Sequence, residues 1–394
     1  MAGAAAAATG TPPAKMRAVQ YDACGAGAAG LKHVEVPVPS AKKNEVLLKL
    51  EAATINPVDW KIQKGVMRPL VPRRLPFIPV TDVAGVVAGV GPGVKDFVVG
   101  DQVVTMLNSF VSSFHSCVMF VCLPYLYFQL NNLMRINILL SVQSSLHLNF
   151  KVNQCLNNSP LLQQSGGGFA EYAVASANLT VKRPPEVSAA EGAGLPVAAG
   201  TALQALRSIG AKFDGTGEPL NVLITAASGG VGLYAVQLAK LANLHVTATC
   251  GARNVELVKS LGADEVLDYR TPEGASMRSP SGRKYDGVVH CTVGVDWAAF
   301  EPLMSASGKV IDITPNFSAM LTSALHAVTL RRKRLVPLLL SPNKADLEFL
   351  VGLVNDGKLK TVVDSRFPFS DAVKAWQKSI DGHATGKIVV EMKG

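Results

Sequence analysis

Residues Ala226-Ala227-Ser228-Gly229-Gly230-Val231-Gly232 carry the clearest chemical signal in the chain. An apolar strand-like run, Asn221-Val222-Leu223-Ile224-Thr225, leads into them. A helical pattern over Val231 to Asn243, with Leu233, Val236, Leu238 and Leu241 among its apolar positions, leads out. Glycines in such a turn let backbone approach a diphosphate, and the helix N-terminus offers it unpaired N–H groups and the positive end of its dipole. The spacing is that of G-x-G-x-x-G with Ala227 in first place, and the strand before and helix after favour a dinucleotide. The plain alternative is a glycine-rich turn between packed elements. The next strand, Val246 to Thr249, ends in Thr249-Cys250-Gly251-Ala252-Arg253-Asn254. It lacks the carboxylate that would accept from an NAD ribose 2′-hydroxyl. Arg253 instead suits a 2′-phosphate, to which a guanidinium makes paired hydrogen bonds. NADPH is preferred on this ground; the alternative is that Arg253 is an exposed residue at a helix start.

Metal chemistry finds no support. Catalytic zinc needs three protein ligands and an open position, yet the chain has no H-E-x-x-H and no four-cysteine cluster. His33 and His115 are isolated, and Cys117 and Cys122 are the only closely spaced cysteine pair. No zinc is expected.

The elements that must position the glycine turn alternate strand with helix. After an alanine-rich helical stretch, Ala189 to Leu206, and the turn itself come a short helix (Val255 to Leu261) and strands at Glu265 to Asp268, Gly287 to Cys291 and Lys309 to Ile313. That alternation predicts a doubly wound parallel sheet. The first half differs: Glu45 to Leu50 reads as a strand, and Val80 to Val104 holds short β-branched runs split by glycines, the texture of a β-rich module. Thr361 to Val363 and Lys387 to Glu391 return to that texture. The expected layout is a flexible lead-in over 1–15, a β-rich domain over 16–187, a dinucleotide domain over 188–345 and a return to the first domain over 346–394. An apolar run at Leu335 to Leu340 reads as a strand, and Pro337 places it at a sheet edge, with an internal core strand as the competing reading.

One segment fits neither texture. Val111 to Gln164 holds only Arg135 and Lys151 as charged residues. Its best apolar run, Cys117 to Leu130, is shorter than the ~20 residues of a membrane-spanning helix. Long structureless loops inside compact domains are uncommon. Valine codons begin with GT and glutamine can be encoded by CAG, so the segment fits a translated intron, and its removal joins Phe110 to Ser165.

Over 394 residues, 48% hydrophobic and 17% charged, the composition is that of a globular chain rather than a disordered one. The net charge of +9 is spread along the sequence, without a nucleic-acid signature. The run Arg331 to Arg334 reads as a solvated surface patch. Six scattered cysteines do not form a secreted disulfide framework, so a reducing compartment is expected. The alanine-rich N-terminus lacks the pattern of a secretory signal or a typical transit peptide.

Several further stretches join these: Asn56-Pro57-Val58-Asp59-Trp60-Lys61, Gly100-Asp101-Gln102-Val103-Val104, Phe169-Ala170-Glu171-Tyr172, Thr201 to Leu206, Leu261-Gly262-Ala263-Asp264 and Gly382 to Lys387. Together with the glycine turn they resemble the medium-chain dehydrogenase/reductase superfamily, in its zinc-independent quinone oxidoreductase branch. That branch includes plant chloroplast envelope members and related alkenal/alkenone reductases. The resemblance covers the chain except its first fifteen residues and 111–164. It implies a GroES-like catalytic domain built from both chain ends around a Rossmann domain, with the nicotinamide in the cleft between them. Matched positions imply that Asn56 and Lys61 line that cleft, with Lys61 reaching the cofactor and Thr201 facing the nicotinamide. Ser228, Gly229, Gly230 and Val231 would meet the diphosphate. Cys250, Gly251, Arg253 and Tyr269 would surround the 2′-phosphate, and Thr292, Val293, Ile313 and Thr314 would flank the nicotinamide and its ribose. Tyr269 has a structural alternative, as a cap on the sheet.

The implied activity is NADPH-dependent reduction of the C=C bond of small α,β-unsaturated carbonyls; quinone reduction is the near alternative. A protein that binds NADPH at a membrane periphery without turnover is the reading from another class. The resemblance also implies a homodimer formed through the edge strand and a plastid envelope location, with the cytoplasm as alternative. No single residue stands out as proton donor. Because the insert interrupts the catalytic domain just before a cleft strand, the form of the protein that carries it is expected to be impaired.

Overall fold

The computed structural model describes residues 12–66, 75–107 and 167–392; the insert at 111–164 lies outside the described residues. Two strands, β1 (Lys15–Tyr21) and β2 (Leu31–Pro37), form an antiparallel ribbon. A seven-stranded sheet follows. It is centred on the long β3 (Glu45–Ile55), which pairs antiparallel with β4 (Asp82–Val90), β6 (Tyr172–Ser176) and β15 (Lys387–Glu391). β5 (Gln102–Met106), β7 (Thr180–Lys182) and β14 (Val363–Pro368) complete it. The two ends of the chain therefore meet in one sheet.

Between β3 and β4 lies α1 (Pro57–Lys64). Its start is written in the sequence: Asn56 and Asp59 form a capping box, and Pro57 sits where a missing N–H costs nothing. Gly65, at φ 83°, ends it in the left-handed conformation glycine tolerates.

The alanine-rich stretch is not one helix. It divides into α2 (Ala189–Ala193), a π-helical turn (Leu195–Ala199) and α3 (Gly200–Ile209). Pro196 supplies the reason: it lacks the N–H that an uninterrupted α-helix needs at that point, and a wider turn absorbs the break.

The second lobe is a six-stranded sheet of β8 (Asn221–Ile224), β9 (His245–Cys250), β10 (Glu265–Asp268), β11 (Tyr285–His290), β12 (Met304–Asp312) and β13 (Arg334–Pro337). All pairings are parallel, in the order β10-β9-β8-β11-β12-β13. This is the doubly wound order, whose reversal point lies between β8 and β11. Its helices include α4 (Gly230–Leu241) and α5 (Val255–Ser260), then α6 (Phe317–Val328) before β13 and α7 (Lys344–Asn355) after it. α4 is apolar around most of its girth because it is enclosed: Leu233, Tyr234, Val236 and Leu238 are all buried. β13 is the outermost strand and stops at Pro337. The apolar run thus yields an edge strand shorter than its composition suggests. α8 (Ala372–Asp381) returns to the first lobe, burying Trp376, whose ring lies 5.8 Å from that of Phe169. No helix among the described residues is long and apolar enough to cross a membrane.

Candidate cofactor cleft

The glycine turn leaves the C-terminal end of β8 at the reversal point of the sheet, where doubly wound folds place ligands. Ala226 adopts φ 48°, and the Ala227 N–H donates to Thr249 O (2.8 Å), fastening the turn to β9. Gly232 is required by contact: a Cβ there would lie 2.4 Å from Ala226 O and 2.6 Å from Ala227 Cα. α4 therefore starts hard against the strand end. Its first N–H groups, at Gly230, Val231 and Gly232, have no partner within the helix and face an anion well. The cradle fits a diphosphate.

At the outer end of β9 three of the residues expected around a 2′-phosphate, Cys250, Gly251 and Tyr269, come together. Tyr269 N–H donates to Cys250 O (3.1 Å), and its ring lies 3.6 Å from where a Gly251 Cβ would be. Tyr269 is 46% exposed, so its ring is a shelf rather than a cap on the core. Burial, assisted by Asp268, pushes the Cys250 thiol up to about 11, so Cys250 packs rather than reacts. Arg253 is exposed, and its Nη2 donates to His383 O in the Gly382–Gly386 loop. Sequence reasoning missed two features here. Arg270 lies 5.6 Å from the Tyr269 ring centre, adding a second guanidinium to the shelf; its position directly after Tyr269 was the available signal. The Gly382–Gly386 loop, which belongs to the other lobe, also reaches the site. Thr385 Oγ1 bonds Asn254 Oδ1 (3.2 Å), and Gly386 N–H donates to Ser228 O (3.1 Å).

Beyond β11 and β12 lie Thr292, Val293, Ile313 and Thr314. Thr314 Oγ1 donates to Thr292 O (2.8 Å) and Ile313 N–H to His290 O (3.2 Å), so the two strand ends are tied, while Val293 is exposed. Beneath them Thr225 Oγ1 accepts from Cys291 N–H (2.9 Å) and meets His290 Nδ1 at 3.1 Å. Burial lowers the pKa of His290 against the opposing pull of Asp312, and burial pushes the Cys291 thiol up to about 12. Both groups act as sheet-end packing.

The other residues expected in the cleft, Asn56, Lys61 and Thr201, lie on the first lobe and on α3. Lys61 is half-buried on α1, its Nζ 5.8 Å from the Trp60 ring centre, and burial lowers its pKa. Thr201 is buried, and its hydroxyl donates to Val197 O (2.6 Å), leaving the oxygen able to accept. Asn56 is 3% exposed and belongs to a polar chain that sequence reasoning did not find. Lys387 Nζ donates to Asn56 Oδ1 (2.6 Å), and Asn56 Nδ2 donates to Asp82 Oδ2 (2.8 Å). Burial pushes Asp82 up to about 6 despite Lys387, Asn56 and the Val197 N–H; burial also lowers the pKa of Lys387. Asp82 sits in a strand beside apolar neighbours, so nothing local marked it, and Lys387 was visible only as the last residue of the Gly382 to Lys387 stretch. Among the described residues no group of three or more His, Cys, Asp or Glu side chains is placed to hold a metal ion.

Comparison with known proteins agrees with this architecture. The family model described as zinc-binding dehydrogenase matches residues 261–390, and that described as alcohol dehydrogenase GroES-like domain matches residues 42–124. The chain is 56% identical over 377 residues to a chloroplast envelope quinone oxidoreductase homolog of Arabidopsis thaliana, covering 95% of this chain and 98% of that protein. It is 29% identical to a chloroplastic NADPH-dependent alkenal/one oxidoreductase of the same plant, covering 96% of this chain and 80% of the other. The solved quinone oxidoreductase from Coxiella burnetii superposes with a TM-score of 0.73 at 26% identity, covering 96% of this chain and all of that one. A GroES-like lobe built from both chain ends, a doubly wound lobe with a glycine turn at its reversal point, and these likenesses lead to one assignment: the chain belongs to the medium-chain dehydrogenase/reductase family of oxidoreductases, on the side of the chloroplast quinone oxidoreductase homologues.

Proposed function

We infer that the protein is a zinc-independent, NADPH-dependent reductase of electron-poor double bonds in small α,β-unsaturated carbonyl compounds. The observation that carries the NADPH half is Arg253, exposed just beyond the end of a strand that lacks a carboxylate there, two residues after Gly251, against which the Tyr269 ring packs. Ser228 to Val231 would hold the diphosphate, and Thr201, Thr292, Val293, Ile313 and Thr314 the nicotinamide end. When bound, the reduced nicotinamide supplies a hydride to the β-carbon of the substrate; the protein's part is to orient it and to stabilise charge developing on the substrate oxygen. The enone half is supported by the likeness to a relative named as an alkenal/one oxidoreductase.

Quinones share the same electron-poor enone unit, and the relatives named as quinone oxidoreductases favour them as the second reading. NADPH oxidation followed with an alkenone and, separately, with a simple quinone decides between them. NADPH binding without turnover of either would favour the non-catalytic alternative at a membrane periphery. The names of the relatives support a plastid location.

A second copy of the chain is the expected partner. Among the described residues β13 has no neighbour on its outer side, and the α6 helix before it exposes Phe317, Leu321, Leu325 and Val328 at helical spacing. An apolar stripe continuous with an unpaired strand edge suits a two-fold interface.

A further inference from the structure

Asp82 is completely buried, and its two oxygens are treated unequally. Oδ2 accepts from Asn56 Nδ2 (2.8 Å) and from the Val197 N–H (3.1 Å), whereas Oδ1 has no hydrogen-bond partner among the described residues. A buried carboxylate with an unmatched oxygen lowers stability, and an apolar replacement of a buried charge pair is often neutral or better. Stability therefore does not explain the arrangement, while what it connects does.

Asn56 caps α1, which carries Lys61. Val197 belongs to the π-helical turn that Pro196 imposes, and its carbonyl accepts the hydroxyl of Thr201. One carboxylate oxygen thus ties the Asn56 wall of the cleft to the Thr201 wall. Lys387 closes the circuit. It is 3% exposed, donates to Asn56 Oδ1, and its Cδ lies 3.5 Å from the Cβ position of Gly230 on the glycine turn.

We propose that Asp82 is a positioning residue for hydride transfer: it fixes Asn56 directly and Thr201 through the Val197 backbone, the two residues that would face the nicotinamide end, with Lys387 as its buried counter-charge. The inference rests on the reading of the cleft given above. It separates affinity from geometry, because the adenosine shelf at Arg253, Gly251 and Tyr269 makes none of these bonds.

The decisive variant is D82L/K387M, which removes both charges together, keeps an apolar stem against Gly230 and leaves Asp59, the other carboxylate near Lys387, with its bond from the Asn56 N–H. Its partner is D82N, whose amide oxygen can still accept both bonds. Four quantities are read on each folded protein: the melting temperature, the affinity for 2′,5′-ADP as a probe of the adenosine end alone, the emission of bound NADPH as a report on the nicotinamide, and kcat with alkenone and with quinone. The expected result for D82L/K387M is an unchanged 2′,5′-ADP affinity and an emission moved toward that of free NADPH. Displacing reacting groups by an ångström costs on the order of 100-fold, so kcat falls by about 10- to 100-fold with alkenone and quinone alike. D82N shifts the emission less than the double variant does, even though it melts earlier for want of a partner to Lys387. Wild-type emission and kcat in D82L/K387M, or a parallel loss of 2′,5′-ADP binding, overturns the proposal. If D82L/K387M does not fold, D82S/K387M is held to the same criteria. A wild-type protein that shifts NADPH emission but reduces neither substrate refutes the functional reading, and the emission comparison still judges Asp82.

Discussion

Replacing Arg253 by Gln gives the sharpest separation of causes. The substitution keeps the side-chain stem and removes the exposed guanidinium two residues after Gly251. Two bonds are affected. One is the existing donation from Nη2 to His383 O, which any nucleotide state shares. The other is the charge-assisted pairing with a 2′-phosphate, which only NADPH offers. Hydrogen bonds to charged groups contribute about 1.5–3 kcal/mol, and solvent exposure at this edge favours the lower half, so the KM for NADPH should rise by about 10- to 30-fold. The KM for NADH should change only by the small share due to His383, so the preference between the two cofactors collapses. Steady-state rates with each reduced nicotinamide, at a saturating alkenone, supply the comparison. An equal loss for both cofactors would refute the reasoning, because the guanidinium would then hold the loop and not the phosphate. An unchanged NADPH constant would remove Arg253 from the site.

Other outcomes follow from the same geometry. Gly232→Val places a side chain on backbone that cannot yield, 2.4 Å from Ala226 O; overpacking of this kind costs about 1–3 kcal/mol or more, visible as a lower melting temperature together with lost NADPH binding. Asp82 has a folded-state pKa of about 6, above its ordinary value of 3.8. The folded form therefore keeps a proton that the unfolded chain has lost, and stability falls as pH rises through that window by up to roughly 3 kcal/mol. Urea titrations across the window should show that slope in the wild type and a flatter one in D82N; identical slopes would assign the proton elsewhere. Leu325→Glu, on the exposed stripe of α6, should shift the protein from dimer to monomer in light scattering with little change in melting temperature, and a monomeric wild type would refute the interface. Deleting 111–164 should raise kcat/KM with either substrate class. If transcripts lacking the segment are absent, it is not a retained intron.

The sequence by itself determined the local chemistry. The turn from Ala226 to Gly232 was legible because a helix that starts hard against a strand end leaves no room for a side chain at Gly232, and strand β10 was found at its observed bounds because four residues of clear pattern are enough. The edge character of β13 could be read from Pro337, since a missing donor is a local fact. Tertiary structure decided what depends on residues distant along the chain. Asn56, Asp82, Val197 and Lys387 span more than 300 positions, and nothing in the sequence links them; the antiparallel pairing of β3 with β4 and β15 brings Asn56, Asp82 and Lys387 to one point, where the Val197 N–H reaches Asp82. The division of the alanine-rich helix at Pro196 was visible as a proline, but its use was not, because the freed N–H of Val197 finds its acceptor on the other lobe. Local pattern records what each segment needs from water and from its own backbone. Which buried charges neutralise one another is settled by the sheet that encloses them.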